Sequence, residues 1–108
     1  MRYYVFVNRY DRTAKYGERT ETRPRTFRLT ISSARKEAMR IVRDMAVARC
    51  VIRNDNGVDV GEVTMHHAGA FEGQCFFYPD YQGYYSNAKN RWHKYFLKSD
   101  GTLGKGTW

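Results

Sequence analysis

The sequence predicts an α+β fold: one amphipathic helix packed on a mostly antiparallel sheet of about five or six strands, in the order β-β-α-β-β-β-β. Three observations predict it. One stretch, about residues 33–47, carries apolar side chains at helical spacing, and no other segment does so. Several further segments alternate apolar and polar residues, the period of a half-buried strand. Turn sequences such as Asn56-Gly57 and Asp100-Gly101 then join neighbouring strands as hairpins, which makes them antiparallel. A chain of 108 residues fits a single domain, 1–108.

The elements follow in order. Residues 3–7, Tyr-Tyr-Val-Phe-Val, have the β-branched and aromatic content of a strand. Residues from Asn8 to Pro24 are polar and too long for a tight turn, so about 9–24 is expected to be a loop or the tip of a long hairpin. In 25–31, Phe27, Leu29 and Ile31 alternate with Thr26, Arg28 and Thr30, the pattern of a second strand with one apolar face. Ser32-Ser33 offers a cap for the helix, whose core face is Ala34, Ala38, Ile41, Val42 and Met45. Its opposite face carries Lys36, Arg40 and Arg43, with Glu37 and Asp44 in position to pair with Arg40.

After Val47 the period changes from helical to alternating, and Ala48, Cys50 and Ile52 begin a strand that ends at the turn Asn54–Gly57. In the next strand Val58 and Val60 share one parity, while Val63 and Met65 share the other. A β-bulge at Gly61 accounts for that switch. Residues 71–78 read as a strand stopped by Pro79, 79–90 as a loop, and 92–98 and 102–108 as two last strands around Ser99-Asp100-Gly101. An edge strand at 102–108 is open to pairing between copies, so both a monomer and a homodimer are compatible with the pattern.

Composition bounds the function. No apolar run approaches the ~18 residues of a transmembrane helix, so no membrane partner is expected. The apolar run near the amino terminus is too short for a signal peptide, which makes the cytoplasm the expected compartment. Cys50 and Cys75 lack the spacing of a metal or redox motif and are expected as free core thiols. Net charge is +8, and Arg outnumbers Lys 13 to 6. The charge is uneven: residues 1–53 carry 14 Lys/Arg against 5 Asp/Glu, whereas 54–90 carry one lysine against 5 acids. Such asymmetry marks a one-sided surface facing a polyanion, and arginine favours phosphate or carboxylate contacts.

The expected function is therefore a small non-catalytic module that binds nucleic acid. The helix stripe of Lys36, Arg40 and Arg43 is its centre. Arg28, Arg49 and Arg53, on outward strand parities, extend it, and Arg12, Arg19 and Arg23 add charge from the segment before the helix. A second reading is a small inhibitor or adaptor that docks on a nucleic-acid-binding protein, of the kind mobile elements use against host defence. It would use Tyr81, Tyr84 and Tyr85, which with Phe76, Phe77 and Tyr78 form the densest aromatic cluster. That loop lies in the acidic third of the chain, which favours a protein contact over base stacking. A third reading is a small basic ribonuclease or toxin built on His66, His67 or His93. Adjacent His66 and His67 point to opposite faces of a strand, and no metal-ligand spacing is present, so neither a metal nor a cofactor is expected.

Overall fold

The computed structural model describes residues 1–10, 19–22, 27–44, 49–66, 70–79 and 94–106. The elements are β1 (Tyr3–Tyr10), β2 (Arg19–Thr22), α1 (Ile31–Asp44), β3 (Arg49–Asn54), β4 (Asp59–Met65), β5 (Cys75–Pro79), β6 (Tyr95–Leu97) and β7 (Leu103–Gly106). The strands form one seven-stranded sheet in the order β2-β1-β3-β4-β5-β6-β7, and every neighbouring pair is antiparallel. The α+β class read from the sequence is thus the class observed, with α1 packed on β1, β3 and β4. Among the described residues no helix is long and apolar enough to cross a membrane.

Two boundaries near the helix differ from the sequence reading. Residues 19–22, expected within a loop or the tip of a long hairpin, pair with 7–10 of β1 as the arm of a hairpin. Of the strand expected at 25–31, the described part, 27–31, makes one bridge between Arg28 and Tyr3, and Leu29 is 70% exposed. Alternation misled here because Ile31 already belongs to the helix. The cap is Thr30, not Ser32 or Ser33: its hydroxyl accepts the Ser33 amide at 3.2 Å, and its carbonyl accepts the Ala34 amide at 3.1 Å. The helix core face is as expected at Ala34, Ala38, Ile41 and Val42, joined by Met39. Met45 lies outside the described residues.

The hairpin β3–β4 turns through Asp55, Asn56 and Gly57. Gly57 has φ of 76°, and the Asn54 side chain accepts the amides of Asn56 and Val58 at 2.9 and 3.0 Å. The bulge falls where the parity switch placed it: Ile52 pairs with Gly61 and Arg53 with Asp59, leaving Val60 as the extra residue. This insertion lets Val60, Val63 and Met65 all pack against one core. It also puts Gly61 beneath Phe77, where a Cβ would overlap the ring. The strand expected from residue 71 starts at Cys75, because 70–73 form a turn with Gly73 at φ 83°.

Alternation assigns the two faces of the sheet. Toward α1 point Val5, Cys50, Ile52, Val63, Cys75, Phe77 and Leu97, which with the helix make the core. Both cysteines are buried free thiols, and burial pushes the Cys50 thiol up to about 12. The second face is not the wet surface that a two-layer pattern implies. Val51 and Phe76 are fully buried there, and rings of Phe71, Phe76, Phe96 and His66 pack edge to face or tilted, with centroids 4.6 to 6.4 Å apart.

Candidate functional site

The outward face of α1 gathers the cations. Lys36, Arg40 and Arg43 recur at one- and two-turn spacing on the side away from the core, so the sheet beneath fixes their direction. Arg28 joins them from the segment before the helix because its bridge to Tyr3 holds it against the first turns of α1. On the other flank the β6–β7 turn is pinned to the helix start. Gly101 there has φ of 86° and lies so close to the Ser32 carbonyl that a Cβ would overlap it. Asp100 shapes the same turn by accepting the Thr102 hydroxyl at 2.6 Å and its amide at 3.0 Å, and the hydroxyl holds its carboxyl below the usual range. Between these flanks lies an open depression of about 550 Å³, lined by Arg28, Ser33, Lys36, Glu37, Arg40, Arg43 and Ser99 with Met39 at its floor.

Glu37 stands at the centre of this groove. Its carboxylate accepts Arg40 Nη2 at 2.7 Å and Arg28 Nη2 at 3.3 Å. The Arg40 hydrogen bond holds the Glu37 carboxyl below its ordinary range against the opposing effect of burial, with the charges of Arg40 and Arg28 adding to it. One carboxylate thus orients two guanidinium groups, and among the described residues four cations line the groove with one anion. A planar guanidinium that is held in place presents its remaining N–H donors in a fixed fork, the geometry that suits a phosphate.

The other sequence-selected residues separate into three groups. Arg49, expected on the surface, is 3% exposed and donates to Glu62 Oε1 at 3.1 Å, with Glu62 itself 5% exposed. It belongs to the interior of the sheet's second face and not to the basic surface, because a diagonal acidic partner on β4 takes its charge. Arg53 lies on that second face too, paired with Asp59 at 2.5 Å and stacked 4.1 Å from the Phe6 ring centroid. Arg28, Lys36, Arg40 and Arg43 are brought together; Arg49 and Arg53 are across the sheet from them.

Arg12, Arg23, Tyr81, Tyr84, Tyr85, His67 and His93 lie outside the described residues, and of Arg19 the backbone in β2 is described. His66 packs on Phe76 with its Nε2 3.3 Å from Lys94 Nζ. Glu62 lies four residues from His66 along the chain, and its carboxylate accepts from Arg49. Among the described residues no three His, Cys, Asp or Glu side chains converge as ligands for a metal ion. Ser33 and Ser99 were read from the sequence as cap and turn residues and not as part of a site, and the Arg28–Glu37 tie was not read at all. Helical spacing reveals Glu37–Arg40, but nothing in the linear order joins Arg28 or Ser99 to the helix. Comparison of the chain with protein families, characterised proteins and solved structures returned no match.

Proposed function

We propose that this protein is a small non-catalytic binding module whose basic groove on α1 holds a polyanion, and that the polyanion is nucleic acid. One observation carries the reading: Arg28, Lys36, Arg40 and Arg43 line one open groove, with Glu37 the carboxylate among its described residues. Cations that need only mutual solvation spread out, whereas these converge, and two are held by a shared carboxylate. The serine hydroxyls at 33 and 99 supply neutral donors at the rim, of the kind that contact phosphate oxygens beside arginine and lysine. Two buried thiols and a net charge of +8 suit a cytoplasmic protein acting on nucleic acid.

The test is fluorescence anisotropy of labelled DNA and RNA at low salt, comparing the native protein with the double variant Arg40→Glu, Arg43→Glu. Arg40 is tied to Glu37 and Arg43 hydrogen-bonds the Cys75 thiol, so retained far-UV circular dichroism of the variant is the control that the fold is intact. Affinity is expected to fall about a hundredfold, the effect of losing two charge-assisted contacts and replacing them with repulsion. Unchanged affinity would remove the groove from the interaction. Absence of any binding by the native protein would transfer the groove to an acidic protein partner, the inhibitor or adaptor reading.

A further inference from the structure

We propose that the nucleic acid is held chiefly along one flank of α1, the flank beside the β6–β7 turn, where Lys36, Arg43 and Ser99 take its phosphates. The inference rests on the polyanion reading above and divides the contacts within that groove unequally.

Helix geometry separates two flanks. Lys36 and Arg43 are seven residues apart on α1, so they point nearly the same way, about 10 Å apart along the axis. Glu37 is turned about 100° from Lys36 and draws Arg40 and Arg28 to its own side. The sheet fixes which side is which, since β1 lies on one side of β3 and β4, and β5, β6 and β7 on the other. Arg28 arrives from the β1 margin through its bridge to Tyr3. Ser99 belongs to the β6–β7 turn, whose Gly101 abuts the Ser32 carbonyl and the Lys36 amide. Arg43 hydrogen-bonds the thiol of Cys75, the first residue of β5.

The flanks differ in what already neutralises them. On the β1 side one carboxylate serves two guanidinium groups. Arg40 gives Nε and Nη2 to Glu37 at 3.4 and 2.7 Å, and Arg28 gives Nη2 at 3.3 Å. These three side chains together carry a net charge of one. Ser33 is tied to the helix cap, its Oγ accepting the Thr30 hydroxyl at 2.8 Å. On the β6–β7 side, the side chains of Lys36 and Ser99 make no hydrogen bond or ion pair with another described residue. Burial pushes the Cys75 thiol up, so it stays neutral and leaves the Arg43 charge uncompensated. The carboxylate of the turn, Asp100, is engaged by the hydroxyl and amide of Thr102.

This difference decides where a phosphate gains most. At Arg28 or Arg40 it competes with Glu37 and meets its repulsion. At Lys36 or Arg43 it displaces only water and counterions, the exchange that drives polyanion binding. Ser99 adds a neutral donor of the kind that fixes register on a phosphate backbone. The β1 flank then acts through its single net charge.

The experiment measures binding of labelled twelve-nucleotide DNA and RNA by anisotropy across several salt concentrations. Lys36→Gln with Arg43→Gln removes two uncompensated charges. It is expected to weaken binding about a hundredfold and to make the slope of log affinity against log salt shallower by about 1.5. Arg28→Gln with Glu37→Gln and Arg40→Gln removes a net charge of one, and is expected to weaken binding about fivefold with a slope change of about 0.8. Ser99→Ala alters no charge; it is expected to weaken binding about fivefold, at least about threefold more than Ser33→Ala does. Far-UV circular dichroism checks each fold, and the serine comparison decides the flank should a charge variant unfold. A triple variant that loses as much affinity as the Lys36–Arg43 pair, or Ser99→Ala weakening binding no more than Ser33→Ala, would overturn this inference and leave the polyanion reading standing. No binding by the native protein at low salt would sink the polyanion reading itself.

Discussion

At the scale of single residues, partners decide what each charge does. Arg49 and Arg53 share a strand and a parity, yet Arg49 is locked to Glu62 in the interior, while Arg53 pairs with Asp59 near the surface. Removing one member of a buried pair strands the other, so Glu62→Gln is expected to cost about 3–5 kcal/mol in urea unfolding. A loss under about 1 kcal/mol would show that the pair behaves as a surface contact. Glu37 makes a different case. Its carboxyl is held low in the folded protein, so the stability it contributes is present above its ordinary value of 4.5 and is lost as the pH falls through the lowered value. Replacing it with Gln releases Arg28 and Arg40 from their shared anion. Glu37→Gln is therefore expected to raise nucleic-acid affinity about threefold to tenfold by anisotropy, and to flatten the pH dependence of stability below 4.5. A variant that binds more weakly would mean that the carboxylate's ordering of the arginines outweighs its repulsion of phosphate.

At the scale of elements, glycine positions couple the helix to the sheet. The tip of the Phe77 ring lies against Gly61, and the Arg35 guanidinium lies 4.4 Å from the centroid of the same ring. An aromatic ring over a strand glycine fills the space that the missing side chain leaves. Gly61→Ala forces the buried ring aside and is expected to destabilise by about 1–3 kcal/mol, read as a lower midpoint of thermal unfolding. A midpoint equal to the native one would show that the ring has room to move. The elements differ in how far the sequence revealed them. The helix was legible through Ala34, Ala38, Ile41 and Val42, since a 14-residue amphipathic helix repeats its signal several times. The bulge was legible through the switch from Val60 to Val63. A strand through 27–31 was misread because Phe27, Leu29 and Ile31 alternate by chance across a helix boundary, with Thr30 as the cap. The bounds of β2 were not legible within the segment read as a loop or hairpin tip, because Arg-Thr-Glu-Thr is short and polar with no apolar face to give it a period.

At the scale of the whole molecule, the sheet separates two kinds of charge. One face lies under α1 and its groove, and the other buries Val51, Phe76 and the Arg49–Glu62 pair. The helix stripe was legible because its members are close in sequence. The division of the basic residues between opposite faces was not, since parity along β3 cannot show that Glu62 on β4 meets Arg49. Arg28 joined the groove through a single bridge to Tyr3, a contact between residues 25 positions apart that no local pattern encodes. The groove, and not the total charge, is then the unit that should set the salt dependence of binding. The most direct measurement is the slope of log affinity against log salt for a labelled single strand, taken by anisotropy across several salt concentrations. Four groove cations predict a slope of about −2 to −3, falling to about −1 in the Arg40→Glu, Arg43→Glu variant. A slope near zero, or a native slope that the double variant leaves intact, would contradict the assignment of α1 as the binding face.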